Sequence, residues 1–386
     1  MRRTRENKGV TLITWVITII VLLILTSIAL IILFGSKGII KEQEAEEMPM
    51  NEQKNLNYVE NYLDDYSSGT NSKILEEKMT KAEIQGDKNS LSDVVDGVPI
   101  PKGFTVSTVS SENTKDGGLV IKDSSGNEFV WVPVRDLDAD GTRDGTNYDQ
   151  QFGRRLFGRS EQLGGTVPTA DEWTENIEEN ALDLIQSVEE YGGFYIARYE
   201  ASYEEGKAVS RPSTTALTTA WTPTNGRLWN NISQLDAITA CESMYGDEAK
   251  VKSHLPYGAE WDSILQWFKQ TKFSNSDAPI GYDSTSWGNY YNASFAYGPS
   301  STQKDSYTMT LIDTGSTEYT KVNNIYDITG NSYKWTQEKY GTGTGRACRG
   351  GGSYNDGSYS PAAYRDSGSE TGSGSDIGFR PAIYIK

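Results

Sequence analysis

The chain has 386 residues, enough for one large domain with appendages. Its formal net charge of −17 excludes a nucleic-acid backbone as partner, because phosphates need a basic footprint. Two cysteines exclude a disulfide scaffold and a four-cysteine zinc site, and the single histidine, His254, argues against a His-rich metal centre or a Ser-His-Asp triad.

Residues 1–9 form a basic leader with Arg2, Arg3, Arg5 and Lys8 against one acid, Glu6. Residues 10–34 carry no charge and are dominated by Ile, Leu and Val, a length that covers a bilayer core at helical rise. The basic flank predicts a cytoplasmic N-terminus, with everything after Phe34 outside the cell. A secretory signal peptide is the competing reading, although no small-x-small cleavage site stands clearly after Phe34. The run Lys8-Gly9-Val10-Thr11-Leu12-Ile13-Thr14 resembles the start of type IV pilin-like precursors, in which a basic leader ends at a glycine. That resemblance implies cleavage after Gly9. The family's usual acid falls at Thr14, so it supports membrane anchoring more than filament packing.

Residues 35–97 are expected to be a helical stalk and linker, with Leu56, Val59 and Leu63 at helical spacing. From Val98 to Lys386 the pattern is that of one α+β domain rich in loops. Leu119–Ile121 and Phe129–Val134, joined by Ser124-Ser125-Gly126-Asn127, predict a hairpin. Asp136–Gly145 has the look of a calcium loop but lacks its terminal bidentate Glu. Helices are expected over Thr174–Tyr191, Ile232–Tyr245 and Ala259–Phe268, and a buried strand over Gly193–Ser202. Ser274–Gly315, rich in Tyr, Ser, Gly and Asn, is expected to be surface loop.

Several landmarks fall in one order: Phe129–Val134, Gly193–Ser202, Leu255–Trp261, Asp327–Trp335, Arg349–Ser353 and Gly378-Phe379-Arg380. Together they resemble the formylglycine-generating (sulfatase-modifying factor) family, which implies a C-type-lectin-like fold over residues 98–386. The resemblance implies scaffold roles for Trp335, Arg349, Gly350, Gly351, Gly378, Phe379 and Arg380. The two glycines permit unusual dihedrals, and the arginines offer planar forks to carbonyls or carboxylates. In the oxidase members two cysteines bind copper. Their positions fall near Asp356 and Pro361 here, so no catalysis and no metal cofactor are expected. Family members often bind calcium at the positions of Asp327, Gly330, Ser332 and Lys334, and a lysine in the last place offers no lone pair. Cys348 pairs with Cys241 or with nothing.

Ser353–Asp376 has the composition of an adaptable binding surface, in which Tyr gives contact area and Ser and Asn adjust hydrogen bonds. Asp, Tyr, Ser, Thr and Gly are all reached from an Asn codon by replacing adenines. The segment resembles the variable region of proteins diversified by retroelements, and an ordinary polar loop has the same composition. The candidate ligand site is Tyr354, Asn355, Asp356, Ser358, Tyr359, Tyr364, Arg365, Asp366 and Ser367, with Arg365 as an anchor. The expected function is a membrane-anchored extracellular recognition protein whose ligand is a protein or glycan on a cell or phage. An enzyme of the same family with an unrecognised site and a pilin-like envelope component are the alternatives.

Overall fold

A computed structural model describes residues 90–134, 152, 157, 173–175, 181–212, 224–274, 276–340 and 344–386. The basic leader, the apolar segment, the stalk up to residue 89 and the Asp136–Gly145 loop lie outside the described residues. Among the described residues no helix is long and apolar enough to cross a membrane.

In chain order, β1 (Leu91–Val95) and β2 (Val98–Pro101) form a hairpin. Its two loop residues, Asp96 and Gly97, both have positive φ, the conformation that an Asp-Gly pair favours in tight hairpins. Regular structure therefore begins before Val98, because Leu91–Val95 has β2 to pair with. Then follow β3 (Phe104–Val106), β4 (Val120–Asp123), β5 (Glu128–Pro133), β6 (Trp173–Thr174), α1 (Leu182–Tyr191), β7 (Gly193–Ala197), β8 (Ser202–Glu204), β9 (Lys207–Val209) and β10 (Arg227–Leu228). The middle of the chain supplies α2 (Gln234–Glu242), β11 (Val251–His254), α3 (Gly258–Thr271), β12 (Phe295–Tyr297), β13 (Thr302–Lys304), β14 (Lys321–Val322) and β15 (Ile325–Tyr326). The remaining strands are β16 (Tyr333–Tyr340), β17 (Gly345–Arg349), β18 (Arg365–Ser369), β19 (Ile377–Gly378) and β20 (Ala382–Ile385).

The main sheet has six strands in the order β11-β20-β7-β5-β4-β3, with every neighbouring pair antiparallel. Both of its faces are buried. Val130 and Val132 of β5 pack with Ile264, Leu265 and Phe268 of α3, while Phe129 and Trp131 point into a second cluster with Ile121 and Tyr195. Alternate residues of a strand face opposite sides, so a strand covered on both sides must be apolar throughout. That is why Phe129–Val134 has no polar residue.

α3 is held at its first turn from two directions. Glu260 accepts a bond from the Tyr257 amide at 2.8 Å, and Glu175 accepts from the amides of Gly258 (2.5 Å) and Ala259 (3.1 Å). These acids satisfy donors that have no partner inside the helix and sit at the positive end of its dipole. α1 ends where Gly192 takes a left-handed conformation at φ 79°. The helix expected over Thr174–Tyr191 begins only at Leu182, because Trp173 and Thr174 pair with β16 as β6. Likewise α2 is shorter than Ile232–Tyr245. It starts after Ser233, whose hydroxyl accepts from the Asp236 amide at 3.1 Å, and it ends at Glu242.

A second sheet runs β18-β17-β16-β19, with β6 also on β16. Trp335 of β16 is buried there and donates its indole N–H to Ile232 O at 2.9 Å. Phe379 packs in the same cluster, and Gly378 closes the parallel pairing of β19 with β16. Cys241 and Cys348 are in this cluster too, but both are free thiols, not a bridge. Burial raises both thiol pKa values, leaving little thiolate for exchange chemistry.

Ser274–Gly315 is not simply a surface loop. It carries a short π-helix (Ala278–Tyr282), the β12–β13 hairpin and a small core of Tyr290, Ala293, Phe295 and Ile312. Lys304 is buried, and its ammonium donates to Tyr290 O (2.7 Å) and Ala293 O (2.9 Å). A cation satisfied by carbonyls lets a polar-looking segment close on itself.

Candidate ligand-binding surface

The loop between β17 and β18 is closed at its base by a cross-strand pair, Arg349 opposite Arg365. Two like charges are tolerated there because two buried acids lie against them. Arg349 donates to Asp262 Oδ1 (2.6 Å) and Glu338 Oε2 (3.2 Å). Arg365 donates from Nη2 to Asp262 Oδ2 (2.6 Å) and from Nε to both oxygens of Glu338 (3.0 Å). Asp262 comes from α3 and Glu338 from β16, so the four charges tie the helix to the second sheet. The placement of Arg365 corrects the sequence reading: it is buried in this network and is not an anchor presented to a ligand.

After Arg349 the chain turns inward. Gly350 (φ 83°) and Gly351 (φ 69°) hold left-handed conformations, and a Cβ there would lie 2.4 Å from Ile328 O and 2.3 Å from Ser360 O. No side chain fits at either position. Tyr290, fully buried, places its hydroxyl 2.9 Å from Gly350 O and 2.7 Å from Ser360 O, bridging the two arms of the loop. Ser353 is buried and its amide donates to Asn331 O at 2.8 Å. Farther on, the Ala362 amide donates to Ser284 Oγ (2.9 Å) and Ala362 O accepts from the Trp261 indole (3.1 Å).

Between these anchors some side chains stand out. Tyr354 is 44% exposed and Tyr359 is 59% exposed, values that tyrosines reach only with the ring in solvent. Ser358 is half-buried. Asn355 serves the loop itself, its Oδ1 accepting from the Gly352 amide at 3.0 Å. Asp356 is half-buried, and its carbonyl accepts from the amides of Tyr359 and Ser360, both at 3.0 Å. The remaining predicted residues lie elsewhere. Tyr364 packs half-buried against the cluster around Trp335, while Asp366 and Ser367 are on β18, where Asp366 accepts from the Ser367 amide. Tyr354, Ser358 and Tyr359 thus keep solvent access on the loop, whereas Arg365 is buried at its base and Asp366 and Ser367 lie on β18. Tyr282 (40% exposed), Tyr307 (69%) and Met309 (60%), on the neighbouring insertion, were missed by the sequence reading. Their signal was the Tyr/Ser/Gly/Asn composition that the insertion shares with the loop.

Beneath the loop lies a buried polar cluster. Lys334 is fully buried, its ammonium donating to Gly330 O at 2.6 Å and lying 3.0 Å from Glu200 Oε1. Glu200 also accepts from Ser332 Oγ (2.7 Å) and from the Asn331 amide group. Asp327, at φ 56°, accepts from Thr314 Oγ1 (3.0 Å) and the Gly315 amide (3.1 Å). Arg380 donates to Ala197 O at 2.6 Å and to Tyr326 O, which ties this cluster to the main sheet. Among the described residues there is no group of three His, Cys, Asp or Glu side chains able to hold a metal. His254 is buried, with Nε2 2.8 Å from Glu260 Oε2.

Burial, with the nearby Glu200 charge, raises the Asp327 carboxyl from its ordinary 3.8 to about 6. A raised folded pKa means stability that is full below 3.8 and is lost as pH rises through about 6. Asp327→Asn should therefore gain on the wild type by roughly 2–3 kcal/mol between pH 4 and pH 7.5. Urea melts of both proteins at the two pH values check this. Parallel pH dependence would show that Asp327 does not titrate in this window.

The family described as Sulfatase-modifying factor enzyme 1-like domain matches residues 164–385. The chain belongs to that family, and its sheet-rich, loop-rich α+β architecture is of the formylglycine-generating, C-type-lectin-like kind. Among solved structures it is similar to CarF (18% identity, covering 50% of this chain and 87% of that one, TM-score 0.32). It is also similar to Treponema denticola variable protein 1 (16%, 50% and 95%, TM-score 0.27) and to PvdO from Pseudomonas aeruginosa (13%, 69% and 98%, TM-score 0.36). No curated protein matches the chain.

Proposed function

We propose that this domain is a non-catalytic recognition module and that the loop between β17 and β18 is its binding surface. The observation that carries the reading is a division of labour within one loop. Its backbone is fixed by buried glycines, Tyr290 and Ala362, while Tyr354 and Tyr359 remain in solvent. A pre-organised backbone carrying exposed aromatic rings loses little entropy when it binds. The buried, free state of both cysteines supports the non-catalytic reading, since neither thiol is available as a thiolate nucleophile or ligand. In this reading the uncharged run at residues 10–34 anchors the chain, the domain faces outward, and the ligand is a protein or glycan on a cell or phage.

Panels of cell-surface proteins and glycans, probed with the purified full chain, test the proposal. Binding should fall by tenfold or more in Tyr354→Ala/Tyr359→Ala, with the melting temperature unchanged because both rings are exposed. Binding of wild-type strength in that variant would sink the loop as the site.

The same reading needs no calcium. Lys334 already places a positive charge on Gly330 O and Glu200. The melting temperature is expected to agree within a degree or so in EDTA and in excess calcium, because a ligand that does not bind the folded state shifts nothing. A calcium-dependent rise would overturn this.

A further inference from the structure

We infer that the binding surface is composite, built jointly by the β17–β18 loop and the Ser274–Gly315 insertion, and that its partner is a basic protein segment. The inference rests on the recognition reading above and adds both the second half of the surface and the chemistry of what it takes.

The two segments are joined by hydrogen bonds to the loop backbone. The Tyr291 amide donates to Asn355 O at 2.8 Å, the Ser284 amide donates to Gly357 O at 3.1 Å, and the Gly357 amide donates to Asn292 Oδ1 at 3.1 Å. The fit is close enough that a Cβ on Gly357 would lie 2.5 Å from Thr285 N. Exposed Tyr354 and Tyr359 therefore share one platform with exposed Tyr307 and Met309. Tyr307 is the most unusual of these. Its ring is 69% exposed while its backbone stands at φ 66°. A bulky residue adopts that conformation at an energetic cost and persists there only when its surroundings impose it. Here Tyr307 donates its amide to Tyr291 O at 2.5 Å, and the two rings meet edge to face at 5.5 Å.

The charges on the platform have one sign. Residues 276–310 and 350–364 contain one basic residue, Lys304, and it is buried on two carbonyls. Asp283 and Asp305 are exposed and Asp356 is half-buried. Tyrosine faces beside carboxylates attract ammonium and guanidinium groups twice over, through the ring quadrupole and through the opposite charge. The net charge of −17 adds long-range attraction for a cationic partner. A neutral glycan can donate hydroxyls to the carboxylates but gains nothing from the excess negative charge, and an acidic one is repelled, so the charge favours Lys- or Arg-bearing protein.

The test selects binders from a displayed library of random cyclic peptides on the purified full chain, at physiological salt. Enrichment of Lys and Arg is expected, with affinity falling about tenfold or more in Tyr307→Ala. That substitution leaves the net charge unchanged, so the loss separates this platform from general attraction to an acidic protein. Asp305→Asn should weaken the same peptides and flatten their salt dependence. Peptides that lose binding in Tyr354→Ala/Tyr359→Ala, yet ignore Tyr307→Ala and lack basic enrichment, overturn this inference and leave the recognition reading standing. Peptides indifferent to all four positions, or a library that yields no binder, overturn both.

Discussion

Arg365→Met is expected to destabilise the domain by about 3–5 kcal/mol, the usual cost of removing one partner from a buried ion pair. Four charges meet at the base of the loop: Arg349 and Arg365 against Asp262 and Glu338. Deleting one arginine leaves two buried carboxylates facing a single guanidinium. Both oxygens of Glu338 lose the donor at Arg365 Nε, and Asp262 Oδ2 loses the donor at Arg365 Nη2. Urea denaturation of the full chain measures the loss. The matching test of cause is Asp262→Asn in the Arg365→Met background, which should recover part of the stability by removing an uncompensated charge. A change below about 1 kcal/mol, the range of a surface ion pair, would mean that solvent reaches the network.

The second large effect is expected from Lys334→Met. The ammonium satisfies Gly330 O and neutralises Glu200 in a region with no exposure at either side chain. Its removal leaves Arg380 as the cation beside Glu200 and Asp327 among the described residues, and about 3–5 kcal/mol should be lost at pH 7.5. The loss should shrink as pH falls, because Asp327, already raised to about 6, takes up a proton and ceases to be a buried charge. Melts at pH 5 and pH 7.5 distinguish this from simple packing damage, which would cost the same at both. Glu200→Gln in the same background should restore stability in part.

Much of the scaffold was legible because its signals are local. Phe129–Val134 announced a strand covered on both faces, and Trp261, Ile264, Leu265 and Phe268 gave the stripe that α3 buries. Arg349 and Arg380 do use their planar forks on carboxylates and carbonyls. The site was legible only in part, for a reason that Arg365 illustrates. In the sequence it stands in a polar run and reads as displayed. Its partners, Asp262 and Glu338, lie 103 and 27 residues away, and no local pattern connects them. The insertion misled in the same way. Tyrosine buries its ring and bonds through its hydroxyl, as Tyr290 does, so a Tyr-rich stretch can supply a core while looking like surface.

The anchoring of the β17–β18 loop has a consequence for how this chain can vary. Gly350, Gly357 and Ala362 are held in place along the backbone by the Gly330 amide, the Ser284 amide and the Ser284 hydroxyl. Adding or deleting a single residue between them would put every later anchor out of step, whereas exchanging one outward side chain for another disturbs none. Novelty at Tyr354, Ser358 or Tyr359 is therefore open to change of letter and closed to change of length, and a family of variants built on this frame would align there without gaps.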